Sequence, residues 1–207
     1  MSTRQVKKRG KTRDKILESA VKLFAEKGFT GTTTKEIAEK AGVNEALVFR
    51  YFSTKRALYH AIIERKIKGE PESESLINSF RETRDDRLFL KSIGIRTLEW
   101  IEKDPHFIRL LYFSALEGDE LSEMFFESYV HHQRELLSDY IEQRISEGDF
   151  KNINPLLAIQ AFTGMVANYV IEQKIFGEKK MGDMKYEEVV ETFIRIFLDG
   201  IKYKNKQ

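Results

Sequence analysis

The sequence contains no cysteine, only 3 prolines, and a single tryptophan. The missing cysteine rules out disulfides, thiolate metal sites and a cysteine nucleophile, which suits a reducing compartment. The scarcity of proline leaves long helices unbroken. No apolar run reaches membrane-spanning length, and the first residues lack the apolar segment of a secretory signal. Together these absences point to a cytoplasmic protein without a membrane partner. With 41% hydrophobic and 33% charged residues over 207 positions, the chain can bury a substantial core and reads as a helix-rich globular protein.

Charge is unevenly divided. Residues 1–68 hold 17 Lys/Arg against 7 Asp/Glu, a balance of +10, whereas residues 69–207 carry a balance of −8. A basic head on an acidic body suits a polyanion binder, because the head seeks phosphate while the body repels it. Residues 1–11 are basic with almost nothing apolar, and we expect a disordered arm there.

Helical periodicity begins near Thr12, with Leu17, Ala20, Val21 and Phe24 forming a stripe that ends at Lys27-Gly28. Thr33 and Glu36 have capping-box spacing, which starts a short second helix bearing Ile37, Ala38 and Ala41. Gly42-Val43-Asn44 breaks the period, and Asn44 can cap a third helix bearing Leu47, Val48 and Tyr51. The small Ala38, the turn glycine Gly42 and the β-branched Val48 are spaced as in a helix-turn-helix. Ser53-Thr54 starts a fourth helix, Lys55–Lys68.

The run from Ala20 to Ile63 resembles the N-terminal domain of TetR-type regulators, the tetracycline-repressor family. The resemblance rests on Phe24, Lys27-Gly28-Phe29, Thr32-Thr33, Ile37-Ala38, Ala41-Gly42-Val43, Phe49, Tyr51-Phe52, Lys55 and Leu58. It implies that Thr34, Tyr51 and Lys55 hold phosphates. The expected DNA-binding set is Thr33, Thr34, Lys35, Asn44, Glu45, Ala46, Leu47, Phe49, Arg50, Tyr51 and Lys55. Within it, Lys35 and Arg50 can reach guanine O6/N7, Glu45 can accept from cytosine N4, and Ala46 or Leu47 can pack on a thymine methyl.

Beyond a polar linker at 69–75, the pattern predicts helices at about 76–83, 86–103, 105–116, 120–147, 155–175 and 186–203, with no strand. The expected fold is all-α with about nine or ten helices: a helix-turn-helix head (12–54), a connecting helix (55–68) and an effector-binding and dimerisation domain (69–207). Apolar residues on two faces of the last helices, and the resemblance, imply a homodimer through Leu157, Ala161, Gly164, Met165, Val190, Phe193, Ile194, Phe197 and Ile201. The resemblance also implies a pocket for a small hydrophobic or amphipathic effector. Its candidate lining is Trp100, Phe107, Leu111, Phe125, Tyr129, His132, Phe162, Asn168 and Tyr169.

The adjacent pair His131-His132 cannot share a metal on one helix, because neighbouring side chains diverge by about 100°. No catalytic constellation stands out, and no cofactor or metal is expected. The function expected is a non-enzymatic transcriptional regulator that binds a near-palindromic double-stranded operator, a repressor released by its effector. The alternatives are an effector-independent DNA-binding protein and an activator.

Overall fold

The computed structural model describes residues 3–68, 80, 83–178 and 184–203. Among these residues the protein is all-helical, and the only β-type pairing is an isolated bridge between Phe150 and Lys202. The chain forms two compact units. Residues 1–70 and 106–127 make the first, and residues 71–105 and 128–207 the second.

In the first unit, α1 (Thr3–Lys27) packs against α2 (Thr34–Ala41) and α4 (Lys55–Lys68), while α3 (Glu45–Tyr51) packs on α2. Ile16, Leu17, Ala20 and Phe24 from α1 are wholly buried, and Ile37 of α2, Val48 of α3 and Leu58 of α4 are buried in the same unit. The apolar stripe seen in the sequence therefore faces the core. Helix α1 begins at Thr3, where an unstructured arm had been expected. Lys, Arg and Gln are good helix formers, and no proline interrupts the run, so the helix extends backwards from its buried part.

The first unit also includes α6 (Pro105–Glu117), from His106 on, and α7 (Glu120–Phe125). Asp119 caps α7, its side chain accepting from Leu121 N. The expected boundary at residue 69 thus does not assign residues 106–127, which cluster with the head.

The second unit is built from α5 (Asp86–Lys103), α8 (His131–Ser146), α9 (Pro155–Lys174) and α10 (Tyr186–Ile201). Helix α9 packs on α8, α5 and α10, and α10 packs on α5. Asn154 caps α9 by accepting from Leu157 N, with Pro155 following as its first residue. Gly94 lets α10 come close: a Cβ there would lie 2.6 Å from Val190 Cγ1. At one end Asp86, 4% exposed, accepts from Tyr140 Oη, Arg144 Nε and Lys202 Nζ at 2.8, 2.9 and 2.7 Å. Three donors around one carboxylate offset the cost of burying it.

A single helix over 120–147 was expected. Instead the π-helical turn Phe126–Val130 separates α7 from α8. The linker at 69–75 and most of the helix expected at 76–83 lie outside the described residues.

Candidate nucleic-acid interface

The head owes its shape to caps that the sequence spells out. Thr33 is the N-cap of α2; its hydroxyl accepts from Glu36 N at 3.2 Å, and Glu36 Oε2 accepts from Thr33 N at 2.8 Å. Lys27 Nζ lies 2.5 Å from Glu36 Oε1. That hydrogen bond, helped by those from Thr33, holds the Glu36 carboxyl down at about 2. Gly42 ends α2 at φ 67°, a left-handed conformation that a side chain would strain. Asn44 then caps α3, its Oδ1 accepting from Leu47 N at 2.8 Å.

Val48, 1% exposed, anchors α3 against α2, and the opposite face of α3 is therefore turned outward. Ala46, Phe49 and Arg50 occupy that face at i, i+3 and i+4 and are exposed, as are Asn44 and Lys35. Among the described residues, neither Lys35 nor Arg50 is held in an ion pair. Two long cations beside an apolar tip give the polar reach and the methyl-sized contact that base edges in a major groove accept. Leu47 and Tyr51 are half-buried, and the Tyr51 ring lies 6.4 Å from that of Phe52.

Four of the expected contact residues are engaged within the protein itself. Glu45 accepts a 2.5 Å hydrogen bond from Thr34 Oγ1, so the proposed phosphate donor and the proposed cytosine acceptor are bonded to each other. The Thr33 hydroxyl is engaged with Glu36. Lys55 does not point a free ammonium outward: Nζ donates to Phe29 O and Thr32 O, both at 2.8 Å, and stands 4.2 Å over the Phe29 ring. Burial lowers its pKa from the ordinary lysine value, with Glu117 opposing.

The residues expected to line one effector pocket are divided between the two units. Phe107, Leu111 and Phe125 are buried in the first, where the Phe107 and Phe125 rings meet edge-on at 5.2 Å. Trp100 stacks with Tyr129 at 6.4 Å in the second, where the buried rings of Phe162 and Tyr169 lean on Phe197 and Phe193. His132 and Asn168, expected to orient polar groups of a ligand, are exposed, and Asn168 donates to Glu172. Both fall on the solvent side of their helices.

The expected dimer set also separates into two groups. Leu157 (62% exposed), Ala161 and Gly164 are open along one face of α9, with Met165 half-buried beside them. Val190, Ile194, Phe197 and Ile201 are taken up by the chain's own core, and Phe193 is half-buried. On α10 the open apolar residue is Ile196, at 56%. The sequence showed that α10 is apolar on more than one face, but not which face the chain would keep for itself.

An all-helical chain with a capped helix-turn-helix and an exposed, cation-bearing third helix defines a DNA-binding regulator. Residues 16–62 match the family described as bacterial regulatory proteins, tetR family, and residues 90–201 match the AefR-like transcriptional repressor C-terminal domain. The chain belongs to the TetR family of transcriptional regulators, and is not an enzyme. It is 29% identical over 193 residues to the HTH-type transcriptional regulator YvkB of Bacillus subtilis (strain 168), covering 92% of this chain and 97% of that one. It is 27% identical to the HTH-type transcriptional regulator RutR of Escherichia coli O157:H7, over 90% and 89% of the two chains. Among solved structures, HlyIIR, a hemolysin II transcriptional regulator, superposes with a TM-score of 0.66 at 21% identity, covering 95% of this chain and 99% of that one. PfmR of Thermus thermophilus superposes with a TM-score of 0.66 at 22% identity, over 89% and 97%. Among the described residues, no helix is long and apolar enough to cross a membrane.

Proposed function

We propose that the protein is a homodimeric repressor that occupies a near-palindromic operator and leaves it when a small hydrophobic or amphipathic effector binds. The observation that carries this reading is the outward face of α3, where Ala46, Phe49 and Arg50 are exposed on a helix fixed by Asn44 and Val48. The likeness of residues 90–201 to a repressor's C-terminal domain supports the sign of regulation. The open face of α9 through Leu157, Ala161, Gly164 and Met165, with Ile196 on α10, supports a two-fold interface. A dimer presents two recognition helices to successive major grooves about 34 Å apart, which a near-palindrome matches. An effector that binds better to the state with mismatched heads releases DNA by population shift.

The test is an electrophoretic shift with duplex DNA from upstream of the protein's own gene, run against a scrambled duplex over a salt series. Sequence-specific retardation that weakens steeply with salt is the expected result. Equal affinity for both duplexes would refute the operator-binding reading. Specific binding that no panel of apolar small molecules reverses would favour the effector-independent alternative.

A further inference from the structure

The turn between α1 and α2, residues 28–33, is gripped from two directions within the first unit. Lys55, at the start of α4, donates to the carbonyls of Phe29 and Thr32, and its ammonium also covers the Phe29 ring. Glu117, at the end of α6, takes the opposite kind of group: its Oε2 accepts a long 3.4 Å hydrogen bond from Phe29 N. Gly28 makes room for that carboxylate, since a Cβ at this position would lie 2.2 Å from Glu117 Oε1. Thr32 completes the turn from inside; it is wholly buried and donates to Leu23 O and Gly28 O at 3.2 and 2.8 Å. The next residue, Thr33, caps α2, and the one after it, Thr34, bonds Glu45 at the head of α3. The turn thus leads through three consecutive residues to the recognition helix.

On the reading that this head binds duplex DNA, we propose that Lys55 and Glu117 are positioning residues for that binding. They clamp the 28–33 turn, thereby set the start of α2 and the pose of α3, and neither touches phosphate. An ammonium has three protons; two are committed to carbonyls at 2.8 Å, and the aromatic face shields what remains. Leaving that position for a phosphate would abandon two carbonyl partners in a part-buried site, which is costly.

The two roles differ in measurable ways. Each phosphate neutralised by a lysine contributes about one unit to the slope of log Kd against log salt, whereas a positioning residue contributes none. Glu117 offers a test of sign. An acidic group acting only through its charge strengthens binding to a polyanion when removed, while a lost clamp weakens it.

The experiment selects a duplex from a random-sequence pool with the full-length wild-type protein. Kd for that duplex is then measured by fluorescence anisotropy across a salt series for wild type, Lys55→Met, Lys55→Gln and Glu117→Ala. Circular dichroism selects the variants that fold, and the glutamine variant stands in where the methionine variant does not. The expected result is binding about tenfold weaker for the Lys55 variant and severalfold weaker for Glu117→Ala, with slopes equal to wild type. A slope shallower by about one for the Lys55 variant, or binding by Glu117→Ala that equals or exceeds wild type, overturns this proposal alone. Failure of the wild-type protein to enrich any duplex overturns the DNA-binding reading, and this proposal with it.

Discussion

Thr34 Oγ1 donates to Glu45 Oε1 at 2.5 Å, so the first residue of α2 is bonded to the first residue of the recognition helix. The bond spans the helix-turn-helix from the side opposite the Gly42 turn in sequence. It gives the negative charge of Glu45 a structural role beside the face of α3 that we propose meets DNA.

Glu45→Gln keeps an oxygen to accept from Thr34 and removes the charge. We expect unspecific DNA binding to tighten by roughly fivefold, the effect of about 1 kcal/mol of relieved repulsion. Glu45→Ala removes the acceptor as well and should lower unfolding stability by about 1 kcal/mol. Anisotropy with a random duplex and urea unfolding separate the two effects; a glutamine variant that binds the random duplex no more tightly than wild type would show that the Glu45 charge does not oppose DNA.

Arg50 is exposed and contributes nothing to the core. Arg50→Glu should abolish specific retardation while leaving stability within about 0.5 kcal/mol of wild type. Arg50→Ala should cost about 1–3 kcal/mol, concentrated at one base pair of the operator. An operator substitution series against both proteins checks this, and normal binding by Arg50→Glu would remove α3 from the groove.

Two helical glycines should answer oppositely to alanine. At Gly94 the added methyl would meet Val190 Cγ1 at 2.6 Å, so Gly94→Ala should destabilise by about 1–3 kcal/mol, with partial recovery in Gly94→Ala/Val190→Ala. At Gly164 a Cβ meets nothing within 4 Å in the single chain, and helix propensity alone would add about 1 kcal/mol. If the α9 face is the dimer contact, Gly164→Ala weakens association in sedimentation experiments even as it stiffens the helix.

Asp86 links pH to stability. Burial alone would raise its pKa, but the hydrogen bonds from Lys202, Tyr140 and Arg144 outweigh it and the net shift is downward. A carboxyl depressed in the folded state stabilises above its unfolded value, near 3.8, and that contribution is lost as pH falls through the lower folded value. Asp86→Asn leaves the 8%-exposed Arg144 with Glu147 and Asp149 as its remaining anionic partners, so the loss should be that of one charged hydrogen-bonding partner, about 1.5–3 kcal/mol at neutral pH. The variant's stability should then vary less below about pH 4 than that of the wild type. Thermal unfolding at a series of pH values reads both effects.

The parts of the fold that the sequence made legible are those governed by local rules. The Thr33–Glu36 box, Gly42, the Asn44 cap and the Asn154-Pro155 start are each set within a few residues, and each stands where the pattern placed it. What escaped depends on partners far along the chain. Lys55 carries a motif position, yet its hydrogen bonds go to carbonyls 26 and 23 residues earlier. Val190 and Ile194 are as apolar as an interface residue, and only the packing of α10 on α5 shows that the chain keeps them for itself. Asp86 and Arg144 are 58 positions apart, with nothing local to pair them.

The first unit is discontinuous: residues 106–127 return to it after α5 has been laid down in the other unit. A head cut from this chain at residue 68 would therefore lose Glu117 from the Phe29 turn and Glu120 from Arg56 and His60. Chimeras that graft the first 68 residues onto a relative's body inherit the same gap unless the donor's 106–127 segment travels with them. For this protein the exchangeable module is two stretches of chain, and recombination at the apparent boundary would separate stretches that pack into one unit.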